Sequence, residues 1–160
     1  MVRKATSNDI KSIATLYDRV IDFQAANGSY MSWIKGVYPT KKTASDALSL
    51  DTLYVYDSNG KVAGSVILDC VQPKDYQSLS WSTADDSRDA VIIHTLCVDP
   101  DFMGIGIATE MLSFAILTDK SEIHAIVNGN SSSILTSFLA CSSCGTSNSF
   151  SFAEARARFK

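Results

Sequence analysis

The sequence predicts an α/β fold, in the α+β sense of one sheet flanked by helices, and three observations carry that prediction. An Asn-Gly pair joins two β-rich runs in "TLYVYDSNGKVAGSVIL". A near-continuous apolar run, "AVIIHTLCV" from Ala90 to Val98, leads into a glycine-spaced turn, and the residues after the turn return to helical spacing. A hairpin, a buried strand and an amphipathic helix bury their apolar sides together only as a sheet with helices packed on it. At 160 residues the chain is expected to be a single domain, 1–160, able to bury a core without disulfides or a structural metal.

The elements follow in order. Val2 to Ala5 reads as a short strand. Ile10, Ile13, Ala14, Tyr17, Val20 and Ile21 recur at helical spacing, with Ser7 as the expected N-cap and Asn27-Gly28 as the stop. Trp33, Ile34, Val37 and Tyr38 precede Pro39, and "TKKTASDALSL" predicts a short helix. The two runs around Asn59-Gly60 predict antiparallel strands joined by a tight turn. Gln72 to Arg88 is polar and irregular, an excursion of the kind that often carries binding residues. The unbroken apolarity of Ala90 to Val98 suits a central strand covered on both faces. Ala108, Met111, Leu112, Ala115 and Ile116 then share one helical face, and "IHAIV" at Ile123 to Val127 predicts a further strand. From about residue 128 the text changes: "NGNSSSILTSFLACSSCGTSNSFSF" holds no Asp, Glu, Lys or Arg, and it supports only a helix around Ser132 to Ala140.

A formal net charge of -3 gives no bulk attraction to nucleic acid or anionic lipid. No apolar stretch is long enough for a signal segment or a membrane span, so the expectation is a soluble, cytoplasmic protein without a membrane or nucleic-acid partner. Cys70 and Cys97 lie in apolar runs and are expected to pack as small hydrophobes. Cys141 and Cys144 form a CxxC with only His124 nearby as a further ligand, so no metal is expected.

The run "DFMGIGIATE", Asp101 to Glu110, places Gly104 and Gly106 where the strand ends and the helix begins. The first N–H groups of a helix lack intrahelical acceptors and sit at the positive end of its dipole, so a glycine turn there can hold an anion. Read alone, the run is equally a plain connection between strand and helix. A dinucleotide fingerprint fails, because Thr109 stands where a third Gly or Ala is needed and Glu122 precedes the next strand. A P-loop fails because no Gly-Lys follows either glycine at the required distance.

"VIIHTLCVDPDFMGIGIATEMLSFA" resembles motif A of the GNAT acyl-CoA-dependent N-acyltransferases, whose central strand enters a pyrophosphate turn of the form Gln/Arg-x-x-Gly-x-Gly/Ala. Gly106 and Ala108 fill its last two positions and Met103 stands in place of the Gln or Arg. "VRKATSNDIKSIATLYDRVI" looks like the family's first strand and helix, and the Asn59-Gly60 hairpin like its second and third strands. The resemblance implies a mixed, mostly antiparallel central sheet flanked by helices, with a splayed central strand leaving a cleft for the pantetheine arm of acetyl-CoA. Backbone groups of Leu96, Cys97 and Val98 would pair with that arm. The N–H groups of Met103, Gly104, Ile105, Gly106, Ile107 and Ala108 would hold the pyrophosphate, assisted by Thr109.

The implied chemistry is direct attack of an amine on the acetyl thioester, without a covalent enzyme intermediate. Val98 N–H would serve as oxyanion donor by the same resemblance. His94, an imidazole on the strand just before the cofactor segment, is the candidate base; a satisfied core histidine is the other reading, and Asp89, or water relayed to Asp85 or Asp86, is the substitute. The family's later Asn is matched by Asn130, but its Tyr is replaced by Ser137 beside Phe138, and no tyrosine follows Tyr76. Three readings therefore stand: an N-acetyltransferase acting on a small amine or a protein amino group, an acyl-CoA-binding or regulatory module with reduced or no catalysis, and an α/β domain with an unrelated role. The altered end also leaves room for a homodimer in which a second subunit completes the acceptor side. Trp33, Tyr38, Tyr76 and Trp81 are candidates for lining that side or for packing around it.

Overall fold

A computed structural model describes residues 1–28, 32–71 and 91–118. Along the chain run β1 (Val2–Lys4), a 3-10 turn (Ser7–Asp9), α1 (Ile10–Asn27), α2 (Lys41–Ser49), β2 (Leu53–Ser58), β3 (Lys61–Asp69), β4 (Ile92–Val98), a second 3-10 turn (Pro100–Phe102) and α3 (Ile107–Thr118). The strands form one antiparallel sheet in the order β1-β2-β3-β4. Among the described residues β4 is an edge strand. Its expected partner at Ile123 to Val127 lies outside them, as do the polar excursion, Asn130, the CxxC and the altered C-terminal segment.

Helix α1 buries Ile10, Ile13, Leu16, Tyr17, Val20 and Ile21, a stripe at the predicted spacing. Its start differs from the expected Ser7 cap. Thr6 precedes the 3-10 turn, and the Asp9 carboxylate accepts from the Thr6 N–H at 2.7 Å and from the Thr6 hydroxyl at 2.8 Å. An acid three residues after a threonine reaches back to the entering chain, whereas Ser7 lies inside the turn. Arg3 fixes Asp9 further through two guanidinium bonds of 2.8 and 2.9 Å. The helix ends at Gly28, with φ of 85°. Helix α2 begins at Thr40, whose hydroxyl accepts from Thr43 N–H. The β2–β3 turn places Asn59 and Gly60 at φ of 54° and 83°, the doubly positive pattern of a tight hairpin.

The sheet separates two cores. On one face α1 and α2 pack Ile13, Leu16, Tyr17, Ala44 and Ala47 against Leu53, Val55 and Ile67. On the other, α3 packs Ile107, Met111, Leu112 and Ala115 against Ala63, Val66, Val91 and Ile93. Each large apolar side chain so buried contributes on the order of 1.5–3 kcal/mol. Gly64 lets α3 approach closely: a Cβ there would stand 2.8 Å from Met111 Sδ, 3.2 Å from Cys97 O and 3.3 Å from Ile107 Cγ2. That contact sets the height of the α3 N-terminus above β3 and β4.

Candidate active site

The central device is a β-bulge in β4. Ile67 pairs with His94 and Ser65 with Cys97, so Thr95 and Leu96 together oppose the single residue Val66. Thr95 takes φ of 52°, unusual for a β-branched residue. The extra residue changes which side chains share a face. Ile93 turns to the α3 core. His94 and Thr95 both turn to the opposite side, His94 to Asp69 and Thr95 to Tyr38. Beyond the bulge, Leu96 and Val98 return to the α3 side while Cys97 enters the α1 core.

The backbone after the bulge is equally ordered. Asp99 N–H donates to Ala63 O at 2.9 Å, and Cys97 and Val98 stand opposite Ser65 and Gly64. In an antiparallel ladder that alternation turns the Cys97 peptide groups toward β3 and those of Val98 away from it, to the edge that no described strand covers. Of the predicted cofactor segment, Val98 thus offers its N–H and C=O outward, whereas Cys97 uses its own within the sheet. The buried Cys97 thiol is pushed up to about 12 by desolvation, so it stays protonated at neutral pH and is no nucleophile. Cys70, expected to be buried, is exposed just past the end of β3, where the apolar run gives way to solvent.

Gly104 and Gly106 hold φ of 78° and 89°. A Cβ at either position would meet nothing within 4 Å, so the demand the fold makes on them is conformational. Glu110 N–H donates to Gly106 O at 3.0 Å as the first rung of α3, which leaves the N–H groups of Ile107, Ala108 and Thr109 without intrahelical acceptors. Ile107 anchors this turn by burying its side chain, while Met103 and Ile105 are exposed; Ala108 and Thr109 are half-buried. The approach is held from α1: Arg19 contacts the buried Asp99 carboxylate at 2.9 Å and Asp101 at 2.7 Å. Asp99 also accepts from Asp101 N–H at 3.0 Å. Lys61 stands 4.0 Å from Asp101 and 4.7 Å from the centre of the Phe102 ring. These cations offset the two acids beside a turn suited to an anion.

On the other side of the bulge lies an open cleft of about 270 Å³. Its polar lining is Tyr38, Thr52, Asp69 and His94. His94 Nε2 is 3.1 Å from Asp69 Oδ1, an oxygen that also accepts from Val71 N–H at 2.9 Å. Burial works to raise the Asp69 carboxyl, but its bonds to His94 and Val71 prevail and hold it below the usual range. Tyr38 Oη lies 2.8 Å from Thr95 Oγ1. Trp33 meets Tyr38 edge-on at 6.4 Å and Tyr17 edge-on at 6.5 Å, which fixes Tyr38 against the bulge. Of the four candidate aromatics, Tyr38 lines the cleft, Trp33 supports it, and Tyr76 and Trp81 lie outside the described residues. Asp85, Asp86 and Asp89 lie outside them as well. Asp69 and Thr95 were not singled out from sequence; an acid ending a strand was the available signal for Asp69, whereas the bulge at Thr95 has none. Among the described residues no group of three or more His, Cys, Asp or Glu could hold a metal ion, and no helix is long and apolar enough to cross a membrane.

An antiparallel sheet, a bulged strand ending in a glycine turn, and a helix starting at that turn together form the GNAT acyl-CoA N-acyltransferase fold, and this chain has it. No family model matches the sequence. An uncharacterized N-acetyltransferase of Methanocaldococcus jannaschii is 30% identical over 132 residues, which are 79% of this chain and 50% of that protein. The chain therefore spans about half the length of the curated relative it matches. A GNAT-family acetyltransferase of Streptococcus agalactiae superposes with a TM-score of 0.74 at 19% identity, covering 88% of this chain and 82% of its own. A predicted acetyltransferase of Clostridium acetobutylicum, solved with acetyl-CoA, gives 0.58 at 15% identity over 96% and 94%.

Proposed function

We propose that this chain is a single-domain N-acetyltransferase that moves the acetyl group of acetyl-CoA to a primary amine by direct attack. The observation that carries the proposal is the bulged β4 strand running into a glycine turn at the N-terminus of α3. The donor set fits the co-substrate: Val98 offers its strand-edge C=O to a pantetheine amide and its N–H to the thioester beyond, and Ile107 to Thr109 offer free N–H groups to a pyrophosphate. The relatives support the same reading, since they are acetyltransferases and one was solved with acetyl-CoA.

Acetyl-CoA supplies an activated acyl carbon; the protein has to bind it, free an amine and manage three charges. His94 is the proton acceptor. With Nε2–H directed at Asp69, Nδ1 is left to take the proton from the acceptor's ammonium, and Asp69 stabilises the imidazolium that results. The freed nitrogen forms a bond to the acyl carbon, and Val98 N–H donates to the oxyanion that develops. Collapse breaks the carbon–sulfur bond as the nitrogen, positively charged in the tetrahedral adduct, gives its second proton to solvent, and the departing thiolate takes one from solvent, Ser137 standing where the family places its tyrosine. His94 then returns its proton to bulk water, and the amide and free thiol leave.

Purified protein incubated with acetyl-CoA and a broad amine panel should release free thiol in step with acetylated amine detected by mass spectrometry. Absence of both CoA binding by calorimetry and turnover with every amine would overturn the reading. The missing C-terminal tyrosine favours a second reading, a module that binds acyl-CoA without transfer; tight CoA binding with no turnover on any amine would select it.

A further inference from the structure

The cleft beside His94 carries an inference that rests on the transferase reading and deepens it. Besides its four polar groups it is lined by Ala47, Leu50, Ile67 and Val71. Leu50 and Val71 remain 70% and 71% exposed at its rim, and Ile34 and Val37, in the same turn as Tyr38, are 60% and 69% exposed. Exposed aliphatics gathered around one concavity mark a ligand surface more often than scattered ones do. The titratable side chains in the lining, among the described residues, are Asp69, His94 and Tyr38, and neither Lys nor Arg contributes. An acceptor bearing a carboxylate or phosphate would find no Lys or Arg to pair with among the described residues of the lining. A polyamine would press its second ammonium against Leu50 and Ile67 and lose hydration without a partner. One carboxylate matches one ammonium.

We infer that the acceptor is a monoamine on a compact, uncharged, apolar body, such as a phenylalkylamine, with its nitrogen at His94 and its body between Tyr38 and Leu50. The volume of about 270 Å³, roughly nine waters' worth, suits a single ring and a short chain and is small for a folded protein's extended segment. Tyr38 presents a rigid ring to that body while its hydroxyl stays on Thr95, next to the strand that receives the thioester. The bulge thereby brings base and body-binding wall to the same face.

The test is titration of the full chain, without acetyl-CoA, with 2-phenylethylamine, 2-phenylethanol, spermidine and glycine, followed by calorimetry and by the His94 ring resonances. Phenylethylamine is expected to bind at least tenfold more tightly than each of the others, to perturb His94, and to be acetylated with at least tenfold higher kcat/KM than spermidine or glycine. Leu50→Lys, a change at an exposed position, is expected to weaken phenylethylamine at least tenfold and leave CoA affinity unchanged. Equal or better binding of spermidine or glycine, or an unaltered phenylethylamine affinity in Leu50→Lys, overturns the inference. Amine binding with this selectivity but no CoA binding would instead sink the transferase reading and leave the cleft's preference standing.

Discussion

The two ends of the β4 bulge are built on opposite principles. Toward α3 the surface is backbone: Gly104 and Gly106 at positive φ, the N–H groups of Ile107 to Thr109, and the outward peptide of Val98. Toward α2 it is side chain: His94 on Asp69, and Tyr38 on Thr95. A backbone site is indifferent to which side chain is attached but not to conformation, whereas a side-chain site fails when one atom is removed. The contrast explains how Met103 can occupy a position where the family places Gln or Arg.

That contrast can be broken most sharply at His94. His94→Ala is expected to lower kcat by roughly 10²–10⁴-fold, the range of a positioned acid–base group, while calorimetry shows CoA affinity unchanged. Next in size is Gly64→Val, in which the added Cβ lies 2.8 Å from Met111 Sδ. Overpacking of this kind costs about 1–3 kcal/mol, to be read from chemical denaturation, and CoA affinity should fall as the α3 N-terminus shifts. Gly106→Val comes third: a β-branched residue at φ of 89° costs about 1–2 kcal/mol, and the expected result is weaker CoA binding with phenylethylamine binding unaffected.

A structural control far from both surfaces is Asp9. Arg3, against the opposing effect of burial and with help from Thr6, holds its carboxyl far below the ordinary range. The folded pKa is depressed, so the stabilisation is complete above the unfolded value of about 3.9 and is lost progressively as pH falls below about 4. Asp9→Asn should therefore be less stable than the parent at pH 7 by about 1–3 kcal/mol, with the gap narrowing below pH 4, and both surfaces should keep their ligand affinities at pH 7. The smallest effect is predicted for Met103→Ala: with the side chain 45% exposed, stability should change by less than about 0.5 kcal/mol and CoA affinity by less than twofold.

The backbone surface was the more legible in sequence, because glycines between an apolar run and a helical stripe announce both a turn and a helix start. The hairpin at Asn59-Gly60 and the α1 stripe were readable for the same reason: each depends on local spacing. The side-chain surface was only half visible. His94 stands out as a polar residue in an apolar strand, but Asp69 is 25 residues away, and only strand register brings them together. Thr95 was invisible, since threonine is a good strand former and an unbroken apolar run has no alternation for a bulge to interrupt. Gly64 did carry a signal, a lone glycine inside a strand, which marks close backbone approach. The Ser7 cap was missed by one residue because Thr6 and Ser7 are both competent and Asp9 chooses between them.

The bulge has a consequence at the level of inheritance. Between Ile67–His94 and Ser65–Cys97 the strand spends three steps where its partner spends two, so what β4 encodes is partly a residue count. Loss of one codon within Thr95-Leu96 would restore a regular ladder in which Ile67–His94 and Ser65–Cys97 keep their pairing and their faces, so the change falls on the bulge alone. Without Thr95 the alternation from Ile93 to Val98 would run unbroken, and what is lost is the hydroxyl that meets Tyr38. A lineage that shortened this segment by one residue is therefore expected to keep its sheet and its His94–Asp69 pair and to lose the Thr95 contact that fixes Tyr38.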